Sequence, residues 1–209
     1  MRFTDELRAL TDDAHRTAER SPFITELLEG RRTAGEYAAL LRQYEAIYAG
    51  LESLVRASSD PLIAHFADPL LERSAAIEHD LLALRAAGID VPDDVVPATS
   101  RFVAHLHEIA GEPVRLLAHH YLRYLGDLSG GQIIGRLAAR HYDIPEDALH
   151  MWDFAGIDKP KRYKDAYRAR LDEHIVTPRE RGQFIQEAIY GYDINGAVFA
   201  DLEATPATT

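Results

Sequence analysis

Between residues 123 and 131 the chain sets Arg123, Gly126, Asp127, Gly130 and Gly131 into a run that otherwise favours helix. Each interior glycine forfeits about 1 kcal/mol relative to alanine, so the pattern costs about 3 kcal/mol of helix preference. At about 100° per residue, with Gly126 at zero, Gly130 falls near ~40°, Arg123 near ~60°, Asp127 near ~100° and Gly131 near ~140°. One helix face therefore carries little side chain beside a single carboxylate. Two arrangements use such a face: a neighbouring helix can pack closely on it, or a flat ligand can approach the main chain. Asp127 weighs toward the second, because an aspartate in a dry contact needs partners or is desolvated at a cost. Leu125, Leu128 and Ile133 lie on the other side and are expected to anchor the helix in a core.

A second group lies near the N-terminus. Glu19 follows His15 by one helical turn, where its carboxylate can hold one imidazole nitrogen and leave the other for a metal. Arg8, two turns earlier, can pair with an anion on the same ligand. A lone helical histidine is more often a structural or surface residue, and these neighbours shift that balance only modestly. The other nine histidines, 65, 79, 105, 107, 119, 120, 141, 150 and 174, show no comparable neighbours in sequence and are expected to be surface or structural. Paired Glu-x-x-His motifs, which a di-iron bundle needs, are absent from the 209 residues.

Composition narrows the chemistry further. The chain has no cysteine, which excludes disulfides, thiolate ligands, a cysteine nucleophile and covalent haem attachment. A net charge of −11 argues against general nucleic-acid binding. Six of the 23 basic residues nevertheless fall within residues 159–171, either as a solvated helix face or as a local anion site. No segment approaches the roughly 20 apolar residues of a membrane span, and MRFTDELR has no apolar run behind a basic start. A cytoplasmic protein without a membrane anchor is expected.

The elements that must position these groups read as helices throughout. Phe3, Leu7, Leu10, Ala14 and Ala18 form a 3.6-period stripe over 3–20 that SPF at 21–23 interrupts. Thr33 with Glu36 reads as a capping box opening a helix to about Ser58. Further helices are expected at 68–87 (stopped by Gly88), 97–110, 113–142, 160–173 and from Thr177, with Pro178 in the first turn, to Leu202. Alternating strands and long linkers are absent, so one all-α domain over 1–209 is expected, with a frayed tail from about 203.

HHYLRYLGDLSGGQIIGRLAARHY, 119–142, strongly resembles the signature segment of haem oxygenases. AHRTAERSPFI at 14–24, YKDAYRARL at 163–171 and YDINGAVFADL at 192–202 are similar to the family's proximal-histidine, basic haem-edge and last helices, in the expected order. The resemblance implies a helical fold holding haem b between a proximal helix and a kinked, glycine-rich distal helix. It implies O2- and electron-dependent opening of haem to biliverdin, carbon monoxide and ferrous iron.

Carried onto this sequence, His15 matches the axial ligand and Glu19 its acceptor. Gly126, Gly130 and Gly131 match the distal wall. Asp127 matches the organiser of distal water, which Arg123 and Tyr44 extend. Lys164, Arg168 and Tyr121 match the propionate grip, and Tyr192, Asn195 and Phe199 match the pocket wall. Asp12 stands where animal members carry a lysine, so that end of the clamp rests on Arg8. The resemblance also implies a soluble, bacterial-type monomer serving iron acquisition or haem disposal. Electrons would come from a separate reductase or ferredoxin, since the chain has no Gly-x-Gly-x-x-Gly fingerprint. The alternative is a protein that stores or transfers haem without degrading it; retention of Asp127 favours the oxygenase.

Overall fold

The computed structural model describes residues 1–205. Ten α-helices are present among them: α1 (Phe3–Glu19), α2 (Pro22–Leu28), α3 (Ala34–Ala57), α4 (Pro61–Ala64), α5 (Ser74–Ala86), α6 (Pro97–Glu108), α7 (Pro113–Gly126), α8 (Gln132–Tyr142), α9 (Pro160–His174) and α10 (Pro178–Ala204). Among the described residues there is no strand, and no helix is long and apolar enough to cross a membrane.

The two longest helices organise the rest. α3 opens with the reciprocal Thr33–Glu36 capping box and buries Tyr37, Leu40, Leu41, Tyr44, Ile47, Tyr48 and Leu51 against α5 and α6. α10 opens with a second box, Thr177 with Glu180, and lies along α7 and α1. It runs to Ala204, and Glu203 pairs with Arg32, so the tail expected to fray from 203 is still helical there; residues 206–209 lie outside the described residues.

Several helix starts are capped from elsewhere in the chain. Buried Glu52 of α3 accepts the backbone N–H of Arg73 (2.5 Å) and of Ser74 (3.2 Å) at the head of α5. Asp201 of α10 accepts from Ala98 at the head of α6 (2.7 Å), and Asp172 of α9 accepts the N–H of Thr4 in α1 (2.8 Å). Each carboxylate satisfies donors that a helix start leaves unpaired and ties two helices together.

The helix expected over 68–87 is therefore two pieces, a 3-10 turn at Pro69–Leu71 and then α5, divided where Glu52 takes the N–H groups. In α1, Leu10 is 57% exposed while Thr11 is buried. The helix packs along α10 on a narrow strip, and Thr11, one turn after Leu7, occupies the place expected of Leu10. Pro22, at the SPF break, begins α2 and sets Phe23 parallel to Phe199, centroids 6.4 Å apart.

The expected 113–142 helix is continuous but not uniform. Residues Asp127–Gly131 form a π turn between α7 and α8, and Ser129 Oγ bonds back to the Leu125 carbonyl at 2.6 Å. A π turn inserts one extra residue, which turns later side chains by about 100° relative to an unbroken α-helix. Ile133 is accordingly 49% exposed and faces the cleft described below, whereas Leu125 and Leu128 are buried as expected.

Candidate functional site

A cleft of about 1270 Å³ opens between α1, the α7–π–α8 segment, α9 and α10. α1 contributes His15, Glu19, Arg8 and Asp12; the segment opposite contributes Tyr121, Arg123, Asp127 and all three glycines. Tyr44, Arg168, Tyr192, Asn195 and Phe199 complete the sequence-derived set lining it. Lys164 is the exception: one turn before Arg168 on α9, it faces the π turn, and its ammonium donates to Ser129 Oγ at 2.8 Å.

His15 Nε2 lies 3.2 Å from Glu19 Oε1, and the ring stands edge-on to Tyr192 with centroids 5.4 Å apart. In this orientation Nδ1 is the nitrogen that Glu19 leaves free. Asp12 pairs with Arg16 at 2.7 Å and Asp165 with Arg168 at 3.4 Å, and Arg8 stands outside both pairs.

On the facing helix, a Cβ built on Gly126 or Gly130 meets no atom within 4 Å. Main chain is bare toward the cleft at both. Gly131 is different, since its Cβ would come within 2.8 Å of Trp152, as would that of Gly135 at 2.9 Å. Close packing, one of the two uses weighed for the glycine face, is the role of Gly131 and Gly135, while Gly126 and Gly130 leave space for something flat. Gly131→Ala is expected to destabilise the protein by about 1–3 kcal/mol through overpacking. Gly130→Ala instead gains up to about 1 kcal/mol of helix preference. Thermal unfolding of the two variants without haem should shift in opposite directions.

Asp127 is 9% exposed. Tyr48 OH donates a short hydrogen bond to its Oδ2, and Arg123 lies close by, its guanidinium 4.4 Å over Tyr44 and 4.9 Å over Tyr48 with Nη1 donating to Asn195 Oδ1 at 2.9 Å. Arg123 Nε is buried without a partner. Burial pushes the Asp127 carboxyl up to about 6, against the pull of Arg123 and the Tyr48 bond. A folded-state value raised from 3.8 means the charged form opposes folding above about pH 6 and that this cost vanishes below about pH 4. The difference corresponds to about 3 kcal/mol. Asp127→Asn is therefore expected to raise the stability of the haem-free protein toward urea by up to about 3 kcal/mol at about pH 8 and by almost nothing at about pH 3.

The family model described as Heme oxygenase matches residues 1–201. Heme oxygenase 1 of Rattus norvegicus is 32% identical over 206 residues, 96% of this chain and 71% of that protein. Heme oxygenase 1 of Nostoc sp. is 31% identical, covering 95% and 85% respectively. The crystal structure of heme oxygenase-1 from Synechocystis sp. in complex with heme superposes with a TM-score of 0.87 at 26% identity, covering 98% of this chain and 93% of that one. The heme oxygenase of Leptospira interrogans gives 0.87 at 31% identity, over 96% and 99%.

The chain belongs to the haem oxygenase family. Membership makes it a haem-degrading oxidoreductase. In this haem oxygenase the sequence reading overlooked Tyr48, the direct partner of Asp127, although its position one turn after Tyr44 on α3 was a usable signal. It expected the remaining histidines to be surface or structural, without naming the partners that four of them have. His105 and His119 both donate to Glu187, His120 pairs with Tyr167 at 2.8 Å, and His150 Nδ1 reaches Asp80 at 3.0 Å. Each partner is 47–82 residues distant, out of reach of local spacing.

Proposed function

We propose that this haem oxygenase holds haem iron through His15 and uses Asp127 to order water on the opposite face. The donors fit the group: an imidazole backed by a carboxylate lines the same cleft as the bare main chain at Gly126 and Gly130. When bound, haem supplies the iron that activates O2 and is itself the macrocycle opened to biliverdin, carbon monoxide and ferrous iron.

The residues divide the remaining work. Glu19 fixes the His15 ring and strengthens it as a donor. Gly126 and Gly130 admit a planar ligand against the backbone, where any larger side chain would fill the space. Arg8 and Arg168 present cations at the rim for the haem carboxylates, Tyr121 adds a hydroxyl, and Lys164 stands next to them on Ser129.

Asp127 has one oxygen committed to Tyr48, which leaves Oδ1 to accept from water. The Arg123 guanidinium beside it offsets part of the cost of keeping that carboxylate charged. Tyr44, Tyr48 and Asn195 hold that guanidinium in place. A water so held can pass a proton toward the reacting face, and the side-chain-free wall confines O2 beside it.

The observation that carries this reading is a carboxylate kept buried against its own desolvation cost, next to two glycines with open space before them. Storage of haem needs a ligand and a rim clamp and makes no use of that carboxylate. On this reading the enzyme works as a cytoplasmic monomer fed by a separate reductase or ferredoxin. Haem-loaded protein given a reductant under O2 should lose its Soret band and release biliverdin; a persistent Soret band would overturn the reading.

A further inference from the structure

Two groups of histidine and carboxylate outside the cleft bring donor atoms near enough to share a cation. In the first, His105, His119 and Glu187, the carboxylate is already satisfied. Glu187 Oε1 accepts from the two Nε2 atoms at 2.6 and 2.7 Å, and Oε2 accepts from Arg115 Nε at 2.6 Å. A cation there would displace charge-assisted bonds and sit beside a guanidinium.

The second group, His79, Asp147 and His150, is exposed. α5 carries His79, and the 3-10 turns Glu146–Ala148 and His150–Trp152 carry the other two. His79 Nε2 is 3.9 Å from Asp147 Oδ1 and its Nδ1 is 3.8 Å from Asp80 Oδ1, distances too long for hydrogen bonds. One donor atom from each of the three residues lies within 4.8 Å of the other two.

The support behind them is rigid. Asp80 is fully buried and accepts the backbone N–H groups of His150 (2.9 Å) and Met151 (2.7 Å), while His150 Nδ1 lies 3.0 Å from Oδ1. A carboxylate on Nδ1 fixes the proton there, so Nε2 carries the free lone pair. The ring is thus preset as a ligand.

We propose that His79, His150 and Asp147 form a surface site for a divalent first-row cation of the zinc type, with water completing its shell. Two imidazoles and one carboxylate are a donor set that Zn2+ accepts. In such a site Cu2+ binds more tightly and Fe2+ more weakly, which sets this site apart from retention of the ferrous product. The cation would tie α5 to the turn bearing Trp152, the ring against which Gly131 and Gly135 pack.

None of the three residues lines the cleft, so zinc chloride titrated into the protein calorimetrically should give the same 1:1 event with and without haem. Affinity should fall at least tenfold in His79→Ala and in Asp147→Ala, and the event should vanish in the His79→Ala/His150→Ala double variant, with circular dichroism unchanged. An isotherm with no stoichiometric site, or a site of unaltered affinity in the folded double variant, would overturn the proposal.

Discussion

His15→Ala is expected to bind haem without histidine coordination and to form almost no biliverdin. Loss of a partner that merely orients a metal ligand costs roughly 10–100-fold. Removing the ligand itself should exceed that range, whereas Glu19→Ala, which leaves the imidazole in place 3.2 Å from an absent carboxylate, should fall within it. Binding should persist, because the rest of the cleft is unchanged: Arg8 and Arg168 still line it for the proposed contact with the haem carboxylates, and Leu125, Ile134 and Phe199 still offer their apolar surface to the macrocycle. The truncation leaves a space the size of the ring, so added imidazole should restore both the axial spectrum and part of the activity. Resonance Raman of the ferrous variant reads the iron–histidine bond directly. An unaltered iron–histidine signal in His15→Ala would refute the assignment of this residue.

The fold was legible wherever a helix carries its own punctuation. Thr33 with Glu36, and Thr177 with Pro178 and Glu180, stand within three residues of the helices they start, and both starts are where local spacing puts them. α5 was misread because its start is set by Glu52, 21 residues earlier on another helix, and nothing near Arg73 announces it. α2 escaped notice because seven residues make only two turns, too short a window for a periodic stripe to stand out. The π turn is a subtler case. The glycines declare that the helix is weak between 126 and 131, but weakness alone does not say whether the chain will kink, break or widen, and the outward turn of Ile133 follows from that choice.

The site was legible to the extent that its residues announce one another within a turn. His15 with Glu19, and Arg123 with Gly126, Asp127 and Gly130, are such local groups, and the cleft brings the two together. The resemblance to a known family supplied what spacing could not: that Tyr192, Asn195 and Phe199, some 180 residues after His15, line the same cleft. What neither supplied is the division of labour among the glycines. Gly131 looks like its neighbours in sequence and is distinguished only by Trp152, which a separate turn delivers to its back. Lys164 and Arg168 likewise read alike, and only the direction of α9 sends one to Ser129 and the other to the cleft.

Asp127→Ala should separate haem binding from haem degradation. Haem affinity and the His15 spectrum are expected to stay within a few-fold of the parent, since the carboxylate supports neither the imidazole nor the rim cations. Biliverdin formation should fall by roughly 10²–10⁴-fold, the span associated with a positioned proton-transfer group. The anchoring hydroxyl makes the argument sharper. Tyr48→Phe leaves the carboxylate in the cleft but frees Oδ2, so the water it orders is less fixed; a loss smaller than that of Asp127→Ala is expected. The carboxyl titrates at about 6, so its acceptor form prevails above that pH and the parent's rate should fall as pH drops through it. Asp127→Asn cannot make that transition, and its residual rate should be level across the same interval. If Asp127→Ala turned haem over at the parental rate, the buried carboxylate would have no part in the reaction, and its cost of about 3 kcal/mol at neutral pH would be left without a function.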